Sequence, residues 1–197
     1  MSNVDLWTGQ FGDEYTERCG GDLDKRREFW ADIIKMAKPY NVLEVGCNTG
    51  MNLAMMLPYM QEEDNLWGCD VNNKALAICH ARNKWINAVR ASGFDLPFRD
   101  GYFDHVFTCG CLIHQAPSEV ERMMREIIRI SAKYVLAVEY ASDAFEEIPY
   151  RGCNEALFKG PYGKIYESKY GLRLIATGFL TKKEGFDDTT SWFLGKG

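Results

Sequence analysis

Glu44, the bracket Gly46–Gly50 and Asp70 are residues of the kinds that hold a small polar ligand. In N-V-L-E-V-G-C-N-T-G, Asn41 to Gly50, an acid stands inside an apolar run that ends in a glycine-bracketed turn. Glycine tolerates left-handed backbone and lets a ligand approach the main chain. The N–H groups of such a turn, set before a helix, are predicted to point outward. The spacing departs from G-x-G-x-x-G, and Glu44 would repel a pyrophosphate while suiting a ligand with an amino group. Asp70 stands 20 residues beyond Gly50. In a βαβ unit that puts a carboxylate at the tip of the neighbouring strand, where it can accept two hydrogen bonds from ribose hydroxyls. The competing reading is an N-cap for the helix that follows. Turn and acid at this separation favour ribose.

Ser92-Gly93-Phe94-Asp95-Leu96-Pro97-Phe98 is a loop in which Phe94 and Leu96 could sandwich a flat base while the amides of Gly93 and Phe94 read its edge. Cys109-Gly110-Cys111 is a small-residue turn after another strand. The elements that position these groups alternate. Strands are predicted at 41–45, 66–70, 88–91, 104–109 and 134–140, with helices at 25–38, 51–57 and 72–83 and another opened by Pro117 and Ser118. Ser118 with Glu121 fits a capping box. The methionines of 51–57 read as core filling rather than a cofactor box. A helix at 165–170 leads to strands 172–180 and 189–194, whose short link makes them antiparallel. This is an α/β chain with a doubly wound, mostly parallel seven-stranded sheet and a C-terminal antiparallel hairpin, in which ligands bind beyond the carboxyl ends of the strands.

At 197 residues the chain is read as one domain, 1–197, with 46% hydrophobic and 26% charged residues. Residues 1–24, aromatic, acidic and glycine-rich, are a lid over the ligand or an arm packed on the surface. Residues 141–163 are an irregular insert on the substrate side. A net charge of −5 argues against broad binding to a phosphate backbone. Seven cysteines, at 19, 47, 69, 79, 109, 111 and 153, include no C-x-x-C pair. No signal peptide opens the chain and no apolar run approaches a membrane span. Reduced thiols, a cytoplasmic location, no metal and no membrane partner are expected.

V-L-E-V-G-C-N-T-G, then G-C-D-V-N, then D-L-P-F-R-D-G-Y-F-D-H-V-F-T-C-G-C-L-I-H together resemble a class I methyltransferase that uses S-adenosylmethionine. The resemblance covers about residues 25–140. It implies that Glu44 and the turn Gly46, Cys47, Asn48 and Gly50 hold the methionine part, Asp70 with Val71 the ribose, and Ser92, Gly93 and Phe94 the adenine. Cys109 and Gly110 would lie beside the sulfonium. Asn48 stands where the turn's middle glycine is usual, and Ser92 where an acid often caps the adenine amino group. W-T-G-Q-F-G-D-E-Y-T-E-R, G-C-N-T-G-M-N-L, Y-R-G, L-F-K-G and F-D-D-T-T-S-W-F-L are similar to the pseudaminic acid biosynthesis-associated methylases. That implies a small-molecule acceptor such as an amino or hydroxyl sugar derivative.

A methyl on a sulfonium is already activated, so alignment carries most of the catalysis. Tyr15 and Arg18 are expected on the cofactor side and Trp7, Phe11, Arg151 and Lys159 on the acceptor side: rings to stabilise a cation, cations to bind carboxylate. His114 is the leading candidate base, and Glu139 with Tyr140 could orient an amine or share a proton. Each has a plainer alternative, a structural hydrogen bond for His114 and a solvent-facing strand end for the pair. The competing functions are a nicotinamide oxidoreductase, which would want G-x-G-x-x-G, and a catalytically silent methyltransferase-like binding or partner subunit. No N/D-P-P-Y/F motif follows the fourth strand, where C-G-C-L stands instead, which argues against a nucleic-acid substrate.

Overall fold

A computed structural model describes residues 3–18, 23–61 and 65–197. Cys19 lies outside them. Seven strands form one sheet: β1 (Asn41–Val45), β2 (Asn65–Asp70), β3 (Ile86–Arg90), β4 (Phe103–Cys109), β5 (Ser131–Glu139), β8 (Arg173–Leu180) and β9 (Thr189–Gly195), in the order β3-β2-β1-β4-β5-β9-β8. The β1–β5 pairings are parallel, and β9 runs antiparallel between β5 and β8. The order reverses between β1 and β4, and ligand crevices open beside such a reversal.

Successive strand residues face opposite ways, and each inner strand supplies both faces. Val42, Phe107 and Leu136 pack with α3 (Arg27–Ala37) and α4 (Met51–Met56) through Trp30, Leu53 and Met56. Leu43, Val106 and Val135 pack with α6 (Val120–Ile130) and α7 (Tyr162–Ser168) through Met124, Ile127, Tyr162 and Tyr166. Trp30, Ala31, Ile33, Ile34 and Ala37 form the buried face of α3 while Met36 is left exposed, and the helix stops at Lys38, left-handed at φ 43°, just before Pro39. α5 (Asn73–Arg82) starts on an N-cap from Asn72, whose side chain accepts from the Ala75 N–H.

The hairpin closes as expected. The N-terminal segment forms two short helices, α1 (Asn3–Thr8) and α2 (Gln10–Arg18). In the insert, β6 (Glu146–Glu147) pairs antiparallel with β7 (Phe158–Lys159), and α7 begins at Tyr162 rather than 165. One local expectation is overturned. Ser118 does not cap α6: the helix begins at Val120 after Glu119 with no side-chain cap. The turn before it is closed by main chain instead, with the Glu119 and Val120 N–H groups both donating to the Ala116 carbonyl, and Glu121 is drawn away to the Lys169 ammonium. A capping box does form where none was expected, between Thr181 and Glu184.

Candidate functional site

A cavity of about 660 Å3 opens at the carboxyl ends of β1, β2 and β4. Beyond β1 the chain turns through Gly46 (φ 76°), Asn48 (φ 47°) and Gly50 (φ 72°). A Cβ on Gly46 would stand 2.6 Å from the Cys111 Sγ, and one on Gly68 2.6 Å from the Cys47 Sγ. Both glycines let the turn fold flat against its neighbours. Asn48 takes the left-handed backbone that its side chain tolerates best after glycine.

The turn's N–H groups do not all face the ligand space, contrary to expectation. Gly46 and Cys47 donate to the Cys69 carbonyl, extending the β1–β2 ladder, and Gly50 donates to Cys47. Asn48 donates to Asp70 Oδ2 at 2.8 Å. Buried main-chain donors must be paired, and this turn pairs them chiefly with the end of β2. Asp70 Oδ1 accepts from the Asn72 N–H at 2.9 Å. Asn72, not Asp70, caps α5. One main-chain donor on each oxygen of Asp70 fixes the carboxylate and leaves lone pairs for two more hydrogen bonds. Burial pushes its pKa upward while those N–H groups oppose the shift.

Glu44 is buried, at 1% exposure. Its Oε1 accepts from Asn52 Nδ2 at 2.7 Å, and its Oε2 has no partner. Asn48 Oδ1 is a second buried acceptor without one. Burial pushes Glu44 up to about 8, against the lowering effect of Asn52 and of the Arg26 guanidinium. Arg26 donates from Nε to the Gly185 carbonyl at 2.7 Å and from Nη1 to Asn52 Oδ1 at 3.2 Å, and it stacks 4.6 Å over the Phe186 ring.

Glu44, Gly46, Cys47, Asn48, Asp70, Val71, Ser92, Gly93, Phe94, Cys109, Gly110, Tyr15, Arg18, Trp7 and His114 all line this cavity. Gly50 starts α4 beneath it, between the lining residues Thr49 and Met51. The Ser92 hydroxyl accepts the Phe94 N–H at 3.3 Å. Leu96 does not flank a base. It is buried beside Phe103 and Met123, its N–H held by Glu126.

α1 and α2 close one side. Asn72 Nδ2 donates to the Trp7 carbonyl at 3.1 Å and to Asp13 Oδ1 at 2.9 Å, and Asn3 donates to the His114 carbonyl at 2.8 Å. The Trp7 and His114 rings meet at 4.4 Å. His114 Nδ1 lies 2.7 Å from the Ala156 carbonyl. A carbonyl only accepts, so Nδ1 carries the proton and Nε2 the lone pair. Burial lowers its pKa to about 4, keeping the ring neutral.

Phe11, Arg151 and Lys159 are not on the cavity wall. Phe11 packs on Trp7 and Tyr150, while Arg151 and Lys159 are exposed on the insert. Tyr140 is half-buried off the wall, and Glu139 is fully buried. Its carboxylate accepts the N–H groups of Cys111 and Leu112 on one oxygen and of Ile113 on the other, at 3.2–3.3 Å. It therefore holds the turn that carries His114, and it does not face solvent. Glu139→Ala would orphan three main-chain donors, expected to cost about 3 kcal/mol and, in a chain of this size, about 6–12 °C in Tm. Thermal melting checks this, and an unchanged Tm would contradict it. Burial raises Glu139 to about 7 from 4.5. An acid whose pKa is higher folded than unfolded contributes stability that falls away as pH rises from 4.5 to 7.

Sequence reasoning missed Arg26, Asn52 and Asn72. Asn72 carried a signal, an Asn just before a helix; Arg26 and Asn52 carried none, since only the packed chain brings them to Glu44. Among the described residues no three His, Cys, Asp or Glu side chains gather as a metal site, and no helix is long and apolar enough to cross a membrane.

A family model described as a methyltransferase domain matches residues 42–133, the stretch that carries Glu44, the turn and Asp70. A mouse protein named as a probable tRNA methyltransferase 9B is 29% identical over 113 residues, 54% of this chain and 24% of its own. The chain thus spans about a quarter of that relative. Among solved structures, a magnesium protoporphyrin IX methyltransferase from Synechocystis with bound S-adenosylhomocysteine aligns with TM-score 0.73, 12% identity and 98% of each chain. A 1,6-didemethyltoxoflavin-N1-methyltransferase from Burkholderia thailandensis, bound to that substrate and S-adenosylhomocysteine, gives 0.72 at 15% identity over 98% of this chain and 86% of its own. A putative methyltransferase from Haloferax volcanii, solved with the Trm112 methyltransferase activator, gives 0.69 at 16% over 98% and 96%. At these identities the likeness establishes a shared fold.

Proposed function

We propose that this chain transfers a methyl group from S-adenosylmethionine to nitrogen or oxygen of a small-molecule acceptor. The observation that carries the reading is one cavity that joins a braced carboxylate, Asp70, to a buried acid, Glu44, with an oxygen awaiting a donor. Those residues fit the cofactor's two polar ends: Asp70 accepts from ribose hydroxyls, and Glu44 with Asn48 accepts from an ammonium. Arg18, Lys25, Arg26 and Lys182 are the cations on the same wall, and Arg18 is the one placed to meet a carboxylate, since Arg26 is held by the Gly185 carbonyl and Asn52. Gly93 and Phe94 take the base.

The cofactor supplies an activated methyl on a sulfonium. The chain aligns the acceptor and keeps water out. Neutral His114, with its tautomer set by Ala156, has an Nε2 lone pair to receive the acceptor's proton, and the Trp7 and Tyr15 rings offer faces to positive charge. One domain, with 1–24 as the lid, 141–163 on the substrate side and residence in a reducing cytoplasm, belongs to the same proposal. So does the sugar-like acceptor suggested by the resemblance to pseudaminic acid-associated methylases. The six described cysteines are free thiols.

The test is transfer of labelled methyl from S-adenosylmethionine into a metabolite extract, with bulk tRNA as the competing acceptor. Label in a small molecule supports the reading. Label only in tRNA overturns the substrate class, and none in either, with cofactor bound, favours a silent subunit. With the acceptor in hand, His114→Ala is expected to lower kcat about 100-fold with little change in cofactor affinity. An unchanged kcat would remove His114 from the chemistry.

A further inference from the structure

We propose that Glu44 is a neutral carboxylic acid before ligand binds and that it gives up its proton to solvent when an ammonium-bearing ligand enters the cavity. This rests on the cofactor reading above. The geometry is that of an acid without a counter-charge. Glu44 sits mid-sheet, on β1 between Gly68 of β2 and Phe107 of β4. It has one neutral donor, the Asn52 amide, and one oxygen with no partner. The nearest cation does not ion-pair with it: the Arg26 guanidinium is spent on the Gly185 carbonyl and on the Asn52 oxygen. The Asn52 amide thus stands between cation and acid. A lone carboxylate in such a place takes a proton rather than bear an unpaired charge.

The ligand's ammonium supplies the missing charge. The change is Glu–COOH plus R–NH3+ going to Glu–COO−···+H3N–R plus one proton to the buffer. No other bond forms or breaks. Asp70 on β2 and the thiols of Cys47, Cys69, Cys79, Cys109 and Cys111 also face Glu44, together with Arg26. All those thiols are pushed upward by burial and stay protonated at pH 6.5. His114 is already neutral there. Glu139 titrates near neutral pH but lies off the wall.

The experiment is calorimetric titration of the whole chain with S-adenosylhomocysteine at pH 6.5 in buffers of differing ionisation enthalpy. The slope of observed enthalpy against buffer enthalpy counts protons. The expected result is about one proton released, with Kd tightening about tenfold per pH unit from 6 to 7. In Glu44→Gln the slope should fall to near zero while weakened binding persists; should that variant not fold, the wild-type slope and pH dependence decide alone. Binding with no proton release overturns the inference and leaves the cofactor reading intact. Release that survives in folded Glu44→Gln assigns the proton elsewhere and also overturns it. No binding at all sinks both.

Discussion

Asp70→Ala is expected to weaken S-adenosylhomocysteine binding by about 150-fold, from the loss of roughly 3 kcal/mol in two hydrogen bonds to a charged acceptor. The variant should nevertheless fold. The Asn48 and Asn72 N–H groups that brace this carboxylate sit at the cavity wall, where water can replace it. Asp70→Asn should fall between the two, because it keeps one acceptor oxygen and turns a donor toward hydroxyls that must themselves donate. Calorimetry on the folded variants checks the order. Wild-type affinity in Asp70→Ala would take the ribose away from this residue.

Gly46→Ala is expected to cost more in structure. At φ 76° an L side chain is strained by about 1–2 kcal/mol. The new methyl would also stand 2.6 Å from the Cys111 Sγ and 3.0 Å from its Cβ. The thiol can rotate away but the Cβ cannot, so β1 and the Cys109–Cys111 turn must part. Overpacking of this kind costs about 1–3 kcal/mol, for a sum near 2–5 kcal/mol in urea denaturation and at least a tenfold loss of ligand affinity. Adding Cys111→Gly should recover the packing share and leave the backbone strain. Failure of that rescue would show the strain, not the contact, to be the cause.

The sheet was legible because its strands are short apolar runs that alternate with helical stripes, and because the turn and the acid fall at strand tips. The cavity's charged floor was half legible. Glu44 and Asp70 stand out as acids inside or ending apolar strands, but their partners are set by packing. Arg26 comes from a turn before α3 and Asn52 from α4, and nothing in either's neighbours marks a link to Glu44. The turn misled in one respect. A glycine turn suggests outward N–H groups, yet here those of Gly46 and Cys47 extend the ladder to β2, that of Gly50 turns back to Cys47 and that of Asn48 goes to Asp70. Phe11, Arg151 and Lys159 stand out by residue type, and type cannot say which face of α2, of β7 or of the loop between β6 and β7 a side chain takes. Glu139 shows the same gap: its place at a strand end was visible, its three main-chain donors from the turn after β4 were not.

The most direct measurement is a crystal structure with S-adenosylhomocysteine. The account predicts both ribose hydroxyls on Asp70, the ammonium on Glu44 and the base beside Phe94, under α1 and α2. A ligand bound elsewhere, or one whose ribose leaves Asp70 untouched, would contradict it.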